Sequence, residues 1–136
     1  MKDILQKQEL LNLRVNPELI GLTSLQLQKD FASFSLEVFP NSEIPESWPL
    51  LFESVRPIIA ELAKEDRHKL VQLFYRIDLS ESLLAKSLSR NPLALAIDEI
   101  TVMLIFREWK KVKFRVEHSL KNNDRIENDG SDGNQP

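Results

Sequence analysis

The chain has 136 residues and no cysteine, and its 18 Lys+Arg stand against 21 Asp+Glu for a formal net charge of −3. That length fits one domain, and the lack of Cys excludes disulfides, thiolate zinc sites and cysteine nucleophiles. The acidic excess sits in residues 122–136, where Arg125 faces Asp124, Glu127, Asp129 and Asp132; residues 1–121 are neutral overall, which disfavours a globally basic nucleic-acid binder.

Charged residues and Gln interrupt the N-terminal run Met-Lys-Asp-Ile-Leu-Gln-Lys-Gln-Glu, so no signal peptide is expected. The most apolar stretch, residues 93–106, contains Asp98 and Glu99. It falls short of the ~20 apolar residues a bilayer span needs and reads as a core helix. The expectation is a cytoplasmic protein without a membrane segment. Gly21 is the only glycine before the tail. Primed hairpin turns and phosphate-cradling loops both need glycine, so both are disfavoured and helices are favoured.

The predicted elements follow in chain order. Ile4, Leu11 and Val15 step by seven and four along a first helix near 2–14. Asn16-Pro17 reads as a cap and first helical residue. Ile20, Leu27, Phe31, Phe34 and Val38 then mark one face of a helix reaching about Glu37. Gly21 and Thr23-Ser24 could delay its start to Ser24, and the alternation of Phe34, Leu36 and Val38 is the competing strand reading. Pro40, Pro45 and Pro49 define a loop over 39–49. Ser47 caps a helix over 48–64 carrying Leu51, Val55, Ile58 and Leu62; Pro57 inside it predicts a kink or two abutting helices. Leu70, Phe74 and Ile77 predict a helix over 67–77. Asp78-Leu79-Ser80-Glu81 reads as a capping box opening a helix with Leu83, Leu84 and Leu88. Asn91-Pro92 repeats the cap-plus-Pro start of a long helix to Leu120. Against that helix stands the strict alternation of residues 111–117, which would suit a strand, although residues 107–110 offer no turn between two strands.

The fold expectation is all-α: one bundle of five or six helices over residues 1–121, ending in a long helix and a disordered acidic tail over 122–136. The expected core comprises Leu27, Phe31, Phe34, Leu51, Val55, Ile58, Leu62, Leu70, Phe74, Ile77, Leu84, Ile97, Ile100, Leu104 and Trp109.

Chemistry-bearing patterns are sparse. His68 and His118 lie far apart and neither has a partner at a ligand spacing, so no metal site is expected. No serine sits in a Gly-x-Ser-x-Gly setting. Asp98 and Glu99 fall in an apolar stretch, where a buried carboxylate would need a partner; an exposed position near the helix start suits them equally. Arg76 suits a structural ion pair, to Asp78 or to another helix, better than a ligand contact.

Residues 107–121 carry the strongest signal: Arg107, Lys110, Lys111, Lys113, Arg115 and Lys121 against Glu108 and Glu117, with Trp109 and Phe114 interleaved. On a helix, Arg107, Lys110, Lys111 and His118 share one broad face. The expected binding surface is therefore Arg107, Lys110, Lys111, Lys113, Arg115 and His118, suited to an acidic protein partner or to phosphates, with Trp109 available for base stacking. A structural alternative is that Trp109 is core and the cations stabilise the helix end. A stripe through Val112, Val116 and Leu120 could also pair with a second copy. No cofactor is implied, and the expected function is a non-enzymatic interaction module, with nucleic-acid binding through the same helix as the alternative.

The stretches Leu-Val-Gln-Leu-Phe-Tyr-Arg-Ile-Asp-Leu-Ser-Glu (residues 70–81) and Leu-Ile-Phe-Arg-Glu-Trp-Lys-Lys-Val (residues 104–112) resemble short uncharacterised helical bacterial proteins. The resemblance implies a bacterial cytoplasmic origin and carries no chemistry.

Overall fold

The computed structural model describes residues 7–11, 14, 16–39 and 43–129, the side chains of 10, 11 and 120–129 excepted. Among these residues the chain forms six helices and no strand: α1 (Lys7–Leu11), α2 (Pro17–Ala32), α3 (Trp48–Glu65), α4 (Arg67–Arg76), α5 (Glu81–Arg90) and α6 (Leu93–Asp129). The alternating segment 111–117 lies within α6, so the strand reading is set aside. The helical backbone runs past Leu120 to Asp129, and the rest of the predicted tail, 130–136, lies outside the described residues. Most of the predicted first helix, including Ile4 and Val15, also lies outside them.

Polar side chains satisfy the first orphan amides of α2, α3, α4 and α5; Asn91, predicted to cap the last helix, instead closes α5, its Nδ2 donating to the Ser87 carbonyl at 3.2 Å, and Pro92 stands just before α6. The Glu18 N–H donates to Asn16 Oδ1 at 2.8 Å, and Pro17 fills the first turn of α2. The Leu50 N–H donates to Ser47 Oγ at 3.4 Å. Asp66 serves two helices: its N–H donates to Leu62 O at 2.9 Å, closing α3, and its Oδ1 accepts from the Lys69 N–H at 3.1 Å, opening α4. The cap of α5 is Ser80, whose Oγ accepts from the Ser82 N–H at 3.1 Å, and not Asp78 as the capping-box pattern suggests.

Asp78 instead sits at φ 67°. The Asp78 N–H donates to Tyr75 O at 3.1 Å and the Leu79 N–H to Phe74 O at 2.8 Å. These paired bonds are the Schellman closure of a helix, in which a left-handed residue turns the chain and recovers two orphan carbonyls. The end of α2 repeats it around Ser35 at φ 60°, with Ser35 N–H to Ala32 O and Leu36 N–H to Phe31 O, both at 3.0 Å. That closure stops α2 at Ala32, short of Glu37, and leaves Val38 to enter the core from the following loop. Gly21 does not interrupt α2; Glu46 Oε2 lies 3.4 Å from where a Cβ would stand, so the loop carboxylate rests on the helix there. Buried Ser24 Oγ reaches the Ile20 carbonyl at 3.0 Å and the Pro45 carbonyl at 2.9 Å, tying the loop to α2. Pro57 is exposed within α3, which stays one continuous helix through it.

The core forms around the apolar half of α6, which packs against α1, α2, α3 and α5, while α4 packs against α2, α3 and α5. Leu27, Phe31, Leu51, Val55, Leu70, Phe74, Ile77, Ile100 and Leu104 are fully buried; full burial of such a side chain contributes ~1.5–3 kcal/mol. Of the predicted core, Phe34, Ile58 and Trp109 are only partly buried and pack on its surface. Phe34 falls beyond the end of α2, which removes it from the helix's inward face. Among the described residues no helix is long and apolar enough to cross a membrane.

Candidate functional site

Two polar features converge on the middle of α6. One is interior. Asp30 of α2 is one residue from Phe31 and takes part in the buried face; its carboxylate is 5% exposed. Arg76, the last residue of α4, donates Nε to Asp30 Oδ1 at 2.9 Å. The Gln26 amide lies 3.3 Å from both Asp30 oxygens, and the Arg115 guanidinium donates to Gln26 Oε1 at 3.0 Å. Glu108 faces this cluster from α6 with a side chain that is 0% exposed. Lys111 Nζ lies 3.8 Å from Glu108 Oε1 and 3.8 Å from Asp78 Oδ2. The network thus joins α2, α4, the α4–α5 turn and α6.

The two carboxyls have opposite electrostatics. Burial raises the pKa of Glu108 to about 9, and the hydrogen bond and charge of Asp30 add to that; Lys111 and Arg115 oppose it without prevailing. Burial also pushes Asp30 upward, but hydrogen bonds from Glu108, Arg76 and Gln26 outweigh it and hold Asp30 below its ordinary value. Neither Glu108 oxygen accepts a hydrogen bond from a nitrogen or hydroxyl donor. Burial beside the Asp30 charge therefore favours the neutral acid form of Glu108. Converging carboxyls of unequal pKa are what acid–base chemistry uses. Here, however, neither Asp30 nor Glu108 lines the three grooves that run along α2 and α6 among the described residues.

The second feature is the outward face of α6. At about 100° per residue, Arg107, Lys110, Lys111, Phe114, Arg115 and His118 fall within an arc of about 140°. They line a groove of about 530 Å³ walled by this single helix, an open surface channel between long side chains. Phe114 is 69% exposed and stacks on His118, with ring centroids 6.0 Å apart and planes 5° apart. Five of the six residues expected at the binding surface meet here. Lys113 does not: it lies on another side of α6, over the Trp109 ring at 5.7 Å and 3.4 Å from Glu117 Oε2.

Trp109 is not a stacking platform. Its ring meets Trp48 edge-on at 6.3 Å, stacks on Phe106 at 5.4 Å and is covered by Lys113. Phe114 is the aromatic ring that faces out. The stripe expected to pair with a second copy is partly consumed by the fold, since Val112 is buried. Val116 lines a groove against α2, and the Leu120 side chain lies outside the described residues. Asp98 is partly buried and ion-paired with Arg56 of α3, with Lys7 Nζ at 4.0 Å, and so acts as a link between helices. Glu99 lies 3.5 Å from Asn91 Nδ2. His68 is exposed on α4, and no group of three or more metal-capable side chains occurs among the described residues.

Reading the sequence missed Asp30 and Glu108. A signal existed for Glu108: Thr101, Ile105, Glu108 and Val112 step by four, three and four, and the other three members are buried.

No family model matches the chain, and no curated protein or solved structure matches it either.

Proposed function

We propose that the chain is a non-enzymatic interaction module that holds an acidic segment of another protein on the outer face of α6. The observation that supports this is Phe114, 69% exposed between Lys110, Lys111, Arg115 and His118. A large apolar ring left in water among cations suits a partner that brings both an apolar side chain and carboxylates. Aromatic and Arg residues are the common anchors of such interfaces. Lys111 and Arg115 also belong to the interior network, whereas Lys110 and Phe114 do not and can be changed without touching it.

The test is capture from a native lysate by the full chain and by the Lys110→Glu/Phe114→Ser variant, which leaves the interior network intact. Proteins retained by the first and lost from the second support the reading. Identical capture by both overturns it. Capture that disappears on nuclease treatment, with affinity falling steeply as salt rises, would assign the same face to nucleic acid.

A further inference from the structure

A second exposed face lies on α2. Glu18, Leu22, Leu25 and Lys29 recur at intervals of four, three and four. They occupy an arc of about 60° and about 16 Å of helix length. Leu22 is 43% and Leu25 46% exposed, and Glu18 and Lys29 are exposed beyond them. Two shallow grooves of about 290 and 300 Å³ flank the leucines, and both grooves are lined by Leu22 and Leu25. The groove toward the loop carries Glu18 and Glu46. The groove toward α6 carries Lys29 and Arg115. The stripe is therefore apolar at its centre, acidic at one end and basic at the other.

We propose that this stripe is the interface of a two-fold homodimer in which α2 lies antiparallel on α2 of a second copy. The pairs Glu18/Lys29 and Leu22/Leu25 share one midpoint, between Thr23 and Ser24. A two-fold axis at that midpoint sets Glu18 against Lys29 of the second copy, and Leu22 against its Leu25. Each contact then occurs twice, as an isologous interface requires. A parallel arrangement would set Glu on Glu and Lys on Lys. A different protein would need the same ordered pattern in reverse, which a second copy supplies by symmetry. One exposed helix face is small for an interface, so the association belongs to the weak, reversible class below about 1,200 Å² of buried surface.

Sedimentation equilibrium over a concentration series reads this directly. The full chain is expected to move from one chain mass toward two as concentration rises to about millimolar. Because symmetry makes both end contacts repulsive at once, Glu18→Lys and Lys29→Glu are each expected to weaken association about tenfold or more. The double exchange Glu18→Lys/Lys29→Glu restores opposite charges and is expected to return within about threefold of the original constant. Lys29→Glu carries the test if Glu18→Lys weakens the start of α2. A single chain mass at every concentration overturns the proposal. So does a dimer unaffected by the single reversals, or a double exchange no stronger than Lys29→Glu alone.

Discussion

Replacing Glu108 by Gln should make the protein more stable at neutral pH. The ordinary carboxyl value of 4.5 becomes about 9 in the fold, because Glu108 is buried beside Asp30. In the unfolded chain at pH 7 the group is ionised; in the fold it is neutral, so folding takes up a proton. The stability associated with the neutral acid is fully present below 4.5 and is lost as pH rises toward about 9. Within that window the wild type should lose ~1.4 kcal/mol per pH unit, or ~6 kcal/mol across it. At pH 7 the cost is ~3 kcal/mol. Gln has a similar shape, can donate an amide N–H to Asp30 and has no proton to take up. Urea denaturation of both proteins between about pH 5.5 and 8.5 isolates the effect, because titrations away from Glu108 cancel in the difference and Asp30, held below its ordinary value, stays ionised throughout. The Glu108→Gln variant should show a nearly level profile, with the two curves diverging as pH rises. Parallel profiles would refute the reasoning, since they would mean that Glu108 folds as a carboxylate.

Three further outcomes follow from particular contacts. Arg76→Met removes the cation that meets Asp30 at 2.9 Å; part of the Arg is solvated, so a loss of ~2–3 kcal/mol is expected in the same denaturation assay, short of the full value for a buried pair. Ser35→Gly relieves a left-handed residue at φ 60° and should raise stability by ~1 kcal/mol, read as a higher denaturation midpoint. Pro57→Ala restores a donor inside α3 and should stabilise by ~1–2 kcal/mol after the gain in unfolded-chain entropy is subtracted; an unchanged midpoint would show that the helix already accommodates the ring.

The helices were legible because the interior is apolar at helical spacing, and because Asn16 and Ser47 are residues whose short acceptors suit a cap. Where helices end was less legible. A glycine usually occupies the left-handed seat of a Schellman closure, and this chain puts Ser35 and Asp78 there. Both residues equally suit a helix or a cap, so α2 reads too long and Asp78 reads as the start of α5. The basic face was legible from charge density alone, but density ignores angle. Lys113 belongs to the charged run and points away from the groove. Glu108 was hidden for the opposite reason: a carboxylate among lysines looks solvated, and only its phase with Thr101, Ile105 and Val112 shows that it points inward. Asp30 beside Phe31 is concealed in the same way. Pairing across forty-six residues, as between Asp30 and Arg76, has no local trace.

The placement of α6 also bears on the order in which the protein can assemble. Four of the other helices, α1, α2, α3 and α5, rest on a segment that begins only at Leu93. During synthesis the earlier helices leave the ribosome with their apolar sides still facing water, and the surface they need arrives last. Any helical structure they form before then is held only by local bonds and by the partial packing of α4 on α2, α3 and α5 and of α1 on α3. The core is therefore complete only once Leu93 and its successors have emerged, and until then the apolar faces of the earlier helices stand open to aggregation and proteolysis.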